Sequence, residues 1–169
     1  MDKQEYFLII PGIVYGVIIV DLMKVFMHRK NYWEMVVWGI YMFTMIPIVW
    51  SELFQKLDLL TNSLKNYFII IIQAVLYTVA VKLLTPEEKD EDTKAYFMEI
   101  KRPFFLLIAG IAFLNFVLQF TAFADQRPAW MRPVGFVLLL ACAYWDKIWI
   151  RAMVWAFFFC LAINYILMY

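Results

Sequence analysis

Apolar residues fill most of this chain in six blocks that short charged segments separate. Most of the blocks approach the ~20 residues that an α-helix needs to cross about 30 Å of hydrocarbon. The pattern therefore predicts an all-α fold, a polytopic transmembrane helical bundle with six spans that forms a single domain over residues 1–169. The six blocks cover residues 6–23, 33–50, 67–84, 104–123, 131–144 and 148–169.

The fifth block is the shortest, and two interpretations of it are open. As an α-helix, residues 131–144 would be about 21 Å long, which is short for a full crossing. Trp130 and Trp145 flank the block as interface anchors do, which favours a thin span. The alternative is a re-entrant half-helix, which would leave five crossings.

Residues 85–103 form the longest polar stretch of the chain. Thr85, Pro86 and Glu88 have the pattern of a helix start, and residues 93–100 are amphipathic. We therefore predict a cytoplasmic connector that lies along the membrane surface and turns into the fourth span at Pro103. Four of its residues are candidates for docking a partner protein or a lipid headgroup: Tyr96, Phe97, Lys101 and Arg102.

Composition supports a membrane location. The chain is 65% hydrophobic and only 17% charged, and a soluble domain of this size would leave too much apolar surface in water. The net charge of +1 does not indicate a nucleic-acid partner. The N-terminus lacks the basic region of a signal peptide, so we expect the first block to stay as a span in the lipid bilayer.

Basic residues near the ends of the blocks predict the orientation. The first, third and fifth loops carry ten Lys and Arg residues, and the opposite side carries five. Because the more basic side of a membrane protein faces the cytoplasm, we expect those three loops inside. With six spans, both the N- and C-termini then face outward. With a re-entrant fifth block, the C-terminus would be cytoplasmic.

Two carboxylates fall near the cytoplasmic ends of the first two spans. Asp21 follows a long apolar run, and Glu34 begins the second span beside Trp33. A carboxylate at this depth needs a partner, a proton or water, and two at one level are a candidate cation or proton site. The alternative for Asp21 is an interfacial pair with Lys24, one turn along the helix.

Amides and glycines are the other polar or small interruptions of the spans. Gln73, Asn115 and Gln119 either hydrogen-bond across helices or line a polar path. Gly12 and Gly16 form a GxxxG spacing, which lets two helices approach closely within the bundle or between subunits.

No motif indicates catalysis, a metal site or a cofactor. The chain has one histidine, His28, so a two-His metal site within one chain is excluded. P-loop, HExxH and GxSxG motifs are also missing. We therefore predict no enzyme activity, no bound metal and no cofactor.

Several short motifs resemble those of a group of small bacterial multi-pass proteins of uncharacterised function. The resemblance covers about residues 10–115 and implies a bacterial inner-membrane protein, without transferring an activity or a site. The matching residues are 28–30, Trp38, Trp50, 83–88, Tyr96–Phe97 and 101–105.

Together these features favour a non-catalytic integral membrane protein, either a homo-oligomer or a component bound to another membrane protein. Its role would be channel-like, regulatory or that of a membrane effector. The first alternative is a small ion- or proton-coupled transporter that uses Asp21 and Glu34. The second, less favoured because few carboxylates are available, is a membrane-embedded enzyme that acts on lipid.

Overall fold

The computed structural model describes residues 3–27, 32–55, 57, 64–86, 92–121 and 130–168, with side chains given except at 3–7, 118–121 and 168. The described residues form an all-helical fold, as predicted. All of the helices except the fifth are long and apolar enough to cross a membrane. The helices are α1 Lys3–Met27, α2 Trp33–Gln55, α3 Leu64–Leu83, α4 Thr93–Thr121, α5 Met131–Tyr144 and α6 Ile148–Met168.

The start of α4 differs from the predicted surface connector. The Asp92 carboxylate accepts hydrogen bonds from the backbone N–H groups of Lys94 and Ala95, which satisfies donors that the first turn of a helix leaves open. From Thr93 the helix continues without a break through Pro103. Residues 93–103 are therefore the first turns of α4, and residues 87–91 of the predicted connector lie outside the described residues.

The helices pack as a closed ring. α1 packs against α2 and α3, α3 against α4, α4 against α5, α5 against α6, and α6 against α2. Each helix in this arrangement has two principal neighbours, and α6 stands between α2 and α5.

The short helix α5 runs antiparallel to α4. Phe136 contacts Phe113, and the Tyr144 ring, near the C-terminal end of α5, lies 5.0 Å from the Arg102 guanidinium near the start of α4. The start of α5 therefore lies toward the C-terminal end of α4, and its end lies at the level where α4 begins. The 14 residues of α5 extend over much of the apolar length of its neighbour.

Buried polar groups on facing helices hydrogen-bond to backbone carbonyls. The Tyr77 hydroxyl of α3 donates to the Met42 carbonyl of α2 at 2.5 Å. The Trp155 indole N–H of α6 donates to the Val37 carbonyl at 3.2 Å. Because a buried polar group without a partner is costly in an apolar environment, both bonds fix the position of α2 relative to its neighbours.

Candidate functional site

A cavity of about 150 Å³ lies inside the ring of helices. Five helices, α2 to α6, contribute to its wall, and none of the described side chains of α1 lines it. Most lining side chains are apolar, as is usual for sites that bind small molecules. The polar lining residues are Tyr41, Glu52, Gln73, Tyr77, Asn115, Arg132 and Tyr165.

Two charged residues, Glu52 and Arg132, are among the described residues that line the cavity, and they lie toward the same end. Glu52 is the lining residue nearest the C-terminal end of α2, and Arg132 is the second residue of α5. Both are half-buried. On α2 the lining extends from Tyr41 to Glu52, which corresponds to about 16 Å along the helix axis. The cavity is therefore elongated along the bundle, with its charges at one end.

An amide pair lies between the charged end and the apolar part of the cavity. Nε2 of Gln73 donates to Oδ1 of Asn115 at 3.1 Å, which joins α3 to α4. Asn115 is half-buried. A primary amide has two donors and two acceptor positions, so this pair keeps further hydrogen-bonding capacity next to the cavity.

Three large aromatic rings lie beyond the apolar end of the cavity, and we call them the aromatic layer. Trp38 packs edge-to-face on Phe105, with ring centroids 5.0 Å apart, and on Phe104 at 6.0 Å. Each of the three is 1% exposed or less. Trp38 also contacts Tyr41 of the cavity wall. The aromatic layer therefore separates the cavity from the opposite end of the bundle.

The opposite end of the bundle contains a buried ion pair between α2 and α6. Arg151 donates from Nε to Oε2 of Glu34 at 2.7 Å and from Nη2 to Oε1 at 3.0 Å. The two side chains are only 4% and 2% exposed. This two-bond geometry is the strongest arrangement of a guanidinium and a carboxylate. We call this region the ion-paired end.

Tyr32 adds a third hydrogen bond to the same carboxylate. Its hydroxyl donates to Oε1 of Glu34 at 2.6 Å. Tyr32 precedes α2, and partial burial followed by the bond to Glu34 raises the pKa of its hydroxyl above the usual value of 10.0. The hydroxyl therefore stays protonated at neutral pH and remains a donor.

A second ion pair lies at the ion-paired end. Lys101 of α4 pairs with Asp146, in the connection between α5 and α6. The Lys101 side chain is 8% exposed, whereas that of Asp146 is 75% exposed. The two ion pairs together connect α2 to α6 and α4 to the segment that leads into α6.

The structure does not bring the predicted polar site residues together at one site. Asp21 accepts a hydrogen bond from Lys24 at 2.5 Å, whereas Glu34 binds Arg151, so the two carboxylates have different cationic partners. Gln73 and Asn115 come together at the cavity. The side chain of Gln119 lies outside the described residues.

The two glycines of the GxxxG spacing have different surroundings. A Cβ atom added to Gly12 would lie 3.2 Å from the Trp50 ring of α2. A Cβ atom added to Gly16 would meet nothing within 4 Å. Gly12 therefore allows close packing within the chain, and Gly16 opens onto the outer surface of α1.

The four candidate docking residues differ in exposure. Phe97 and Lys101 are buried, and the half-buried Tyr96 donates its hydroxyl to the Leu83 carbonyl at 2.9 Å. Arg102 is the exposed member of the four. Most of this surface is therefore used to join α4 to the rest of the bundle.

Comparison with family models, curated proteins and solved structures finds no match to this chain. Within the part of the chain that the structure describes, there is no group of three or more His, Cys, Asp or Glu residues that could hold a metal ion. The functional interpretation therefore depends on the cavity and on the two ends of the bundle.

Proposed function

We propose that this protein is a multi-pass membrane carrier that binds a small solute in the cavity between α2 and α6. The cavity itself is the observation that supports this proposal. It lies inside the bundle, has mainly apolar walls contributed by five helices, and has two charged side chains, Glu52 and Arg132, toward one end. Sites for small molecules in membrane proteins are built in this way, from a few polar groups in an otherwise apolar chamber.

The closure of the opposite end also supports a carrier. Between the cavity and that end lie the aromatic layer and then the Glu34–Arg151 ion pair. A carrier must be closed on one side of its solute site while the other side is accessible, and it alternates between two such states. In this proposal the structure represents one of them.

The orientation that we propose follows from the basic residues near the helix ends. The ion-paired end faces the cytoplasm, and the charged end of the cavity faces outward. All of the helices cross the membrane, with α5 as a thin span, so both termini are outside. The location that we propose is the inner membrane of a bacterium.

This proposal develops the transporter alternative, but neither Asp21, which pairs with Lys24, nor Glu34 belongs to the solute site. Glu34 belongs to the closure of the ion-paired end, and the solute site uses Gln73 and Asn115. Association with further copies, through the outer surface of α1 that includes Gly16, is a separate proposal and does not affect solute binding.

An uptake experiment with purified protein in liposomes tests the carrier function. The liposomes are incubated with a defined mixture of amino acids, short carboxylic acids, amines and sugars, and their contents are measured by mass spectrometry. Ala112 lines the cavity, so Ala112→Phe fills the space that a solute needs. Ala156 is exposed on the outer surface of α6, and Ala156→Phe is the control of equal bulk.

We expect the wild type and Ala156→Phe to accumulate at least one compound above protein-free liposomes. Ala112→Phe should lose most of that uptake. Wild-type contents equal to those of protein-free liposomes would refute the carrier function. Equal uptake by wild type and Ala112→Phe, with both proteins folded, would refute the cavity as the route.

A further inference from the structure

We propose that the solute carries a hydroxylated aromatic ring, which lies in the inner part of the cavity with its hydroxyl group on Tyr41. This inference rests on the proposed carrier function and assigns the ring end of its solute. It depends on a buried hydroxyl group in the wall, on the volume and aromatic lining of the cavity, and on the position of the amide pair.

The first argument is the hydroxyl group of Tyr41. The Tyr41 side chain is only 7% exposed, and its hydroxyl makes no hydrogen bond to any other residue that the structure describes. The oxygen is not completely enclosed, so its accessible surface faces the cavity that Tyr41 lines. A buried hydroxyl without a partner is unfavourable, and a tyrosine hydroxyl can both donate and accept. The wall therefore favours a ligand with a small polar group at this position.

The second argument is the size and lining of the cavity. Its volume of about 150 Å³ matches that of an apolar cavity that holds one benzene molecule. The Phe158 ring packs edge-to-face on Tyr41, with ring centroids 5.5 Å apart, and both rings belong to the wall. Gly135 leaves room for Phe158, because an added Cβ atom would lie 3.0 Å from its ring. Since contacts between aromatic rings are favourable beyond the burial of their area, this wall favours a single aromatic ring.

The third argument is the position of the amide pair relative to Tyr41. Tyr77 donates to the carbonyl of Met42, the neighbour of Tyr41, and Gln73 lies one helical turn before Tyr77, which is about 6 Å along α3. Its partner Asn115 is the lining residue nearest the C-terminal end of α4, on the side of the charged end. The amides therefore lie outward of Tyr41. A ring between them places its hydroxyl on Tyr41 and its opposite substituent beside the amides.

Binding measurements on wild-type protein in nanodiscs test this assignment, with empty nanodiscs as the blank. The probes are three pairs that differ only in the ring hydroxyl: tyramine and 2-phenylethylamine, 4-hydroxyphenylacetate and phenylacetate, and 2-(4-hydroxyphenyl)ethanol and 2-phenylethanol. The pairs have cationic, anionic and neutral head groups, so comparison within a pair isolates the hydroxyl. In each pair that binds, we expect the hydroxylated compound to bind at least about tenfold more tightly, because its analogue leaves the Tyr41 hydroxyl without a partner.

Three variants locate the ring. Tyr41→Phe removes a single oxygen atom and should reduce the preference within a pair to about twofold or less, because the hydrogen bond is lost. The compounds without a ring hydroxyl should keep their wild-type affinity for this variant. Tyr144→Phe is the matched control, because Tyr144 is exposed and does not line the cavity, and it should keep the wild-type preference. Ala112→Phe, which fills the cavity, should lose the binding of all probes.

The outcomes separate this inference from the carrier function. Equal affinity of the wild type within every pair that binds, or no binding of any hydroxylated probe, would refute the inference. A preference that survives Tyr41→Phe would refute the position of the ring hydroxyl. Liposome uptake of compounds without a ring, with no binding of these probes, would refute the inference and leave the carrier. Binding that depends on Tyr41, without uptake of any compound, would support the site and refute transport.

Discussion

At the scale of single residues, the Glu34–Arg151 pair is the most tightly organised polar feature among the described residues. Each side chain is almost completely buried, and Tyr32 completes the hydrogen bonding of one carboxylate oxygen. Removal of two charges from water costs desolvation energy, so the net contribution of a buried ion pair to stability is small. The loss of one partner, however, leaves the other charge buried and unpaired, which is strongly destabilising. Each of the two side chains is therefore stable in its buried position only while the other is present.

This coupling predicts a non-additive result in a double-mutant cycle. Glu34→Met and Arg151→Met should each lower the free energy of unfolding by about 3–5 kcal/mol, because each leaves the partner's charge buried and unpaired. The double variant should be distinctly more stable than the sum of the two losses predicts. Unfolding of the purified protein in detergent, followed by tryptophan fluorescence, measures all three. Additive losses would show that the two charges do not stabilise each other.

The same pair shows where interpretation of the sequence fails. Arg151 is only three residues into α6, so in the sequence it resembles a basic residue of a loop. Its partner is 117 positions away, and no local pattern connects the two. Arg132 was likewise counted among the loop charges, although it lines the cavity. Positions of charges near helix ends predict topology, but they do not distinguish a residue in water from one that turns into the bundle.

At the scale of helices, the sequence predicted the existence of each element well. The bounds of α5 agree with the predicted block, because polar residues at 125–127 and at 146–147 interrupt the apolar run on both sides. α2 extends beyond its block to Gln55, because a helix continues into polar residues once it is formed. The fourth span was predicted to begin at Pro103, whereas α4 begins at Thr93 and contains Pro103, which transmembrane helices tolerate.

The packing of α2, α4 and α6 at the ion-paired end predicts the reactivity of a native cysteine. Cys142 of α5 is completely buried and lies close enough to Glu34, Lys101 and Arg151 to interact with their charges. In a Cys160→Ser background, a charged, membrane-impermeant thiol reagent should modify Cys142 very slowly. Glu34→Gln should raise the rate by about tenfold or more, because local opening exposes the ion-paired end.

Asp21→Asn is the matched control for this experiment. It removes a carboxylate at the same end of the bundle, but one that pairs with Lys24 of its own helix, so the labelling rate should stay near that of the parent. A Glu34→Gln variant that is folded and as slow as the parent would show that the ion pair does not hold this end closed.

At the scale of the whole molecule, the arrangement separates a cavity from a closed end. α2 to α6 line the cavity, and α1 completes the ring of helices by packing against α2 and α3. Large apolar side chains on α1, such as Ile13 and Val20, are exposed on its outer face, as expected for a surface in contact with lipid. Five helices of the ring thus line the cavity, and α1 combines a buried inner face with an exposed outer face.

The proposed orientation predicts the locations of the chain ends. Reporter fusions that are active only outside the cytoplasm should be active at both the N-terminus and the C-terminus. A fusion in the segment between α3 and α4 should be inactive, because that segment carries many of the basic residues. Termini on opposite sides of the membrane would show that α5 does not cross.

The 117-residue separation of Glu34 and Arg151 also has a consequence for biosynthesis. The ribosome adds residues at about 5–20 per second, so α2 waits on the order of ten seconds before the residue that neutralises its carboxylate is made. During that time Glu34 lacks the guanidinium that binds it in the complete bundle. The last helix of the bundle supplies Arg151, so the ion-paired end can close only after α6 has been synthesised and packed against α2.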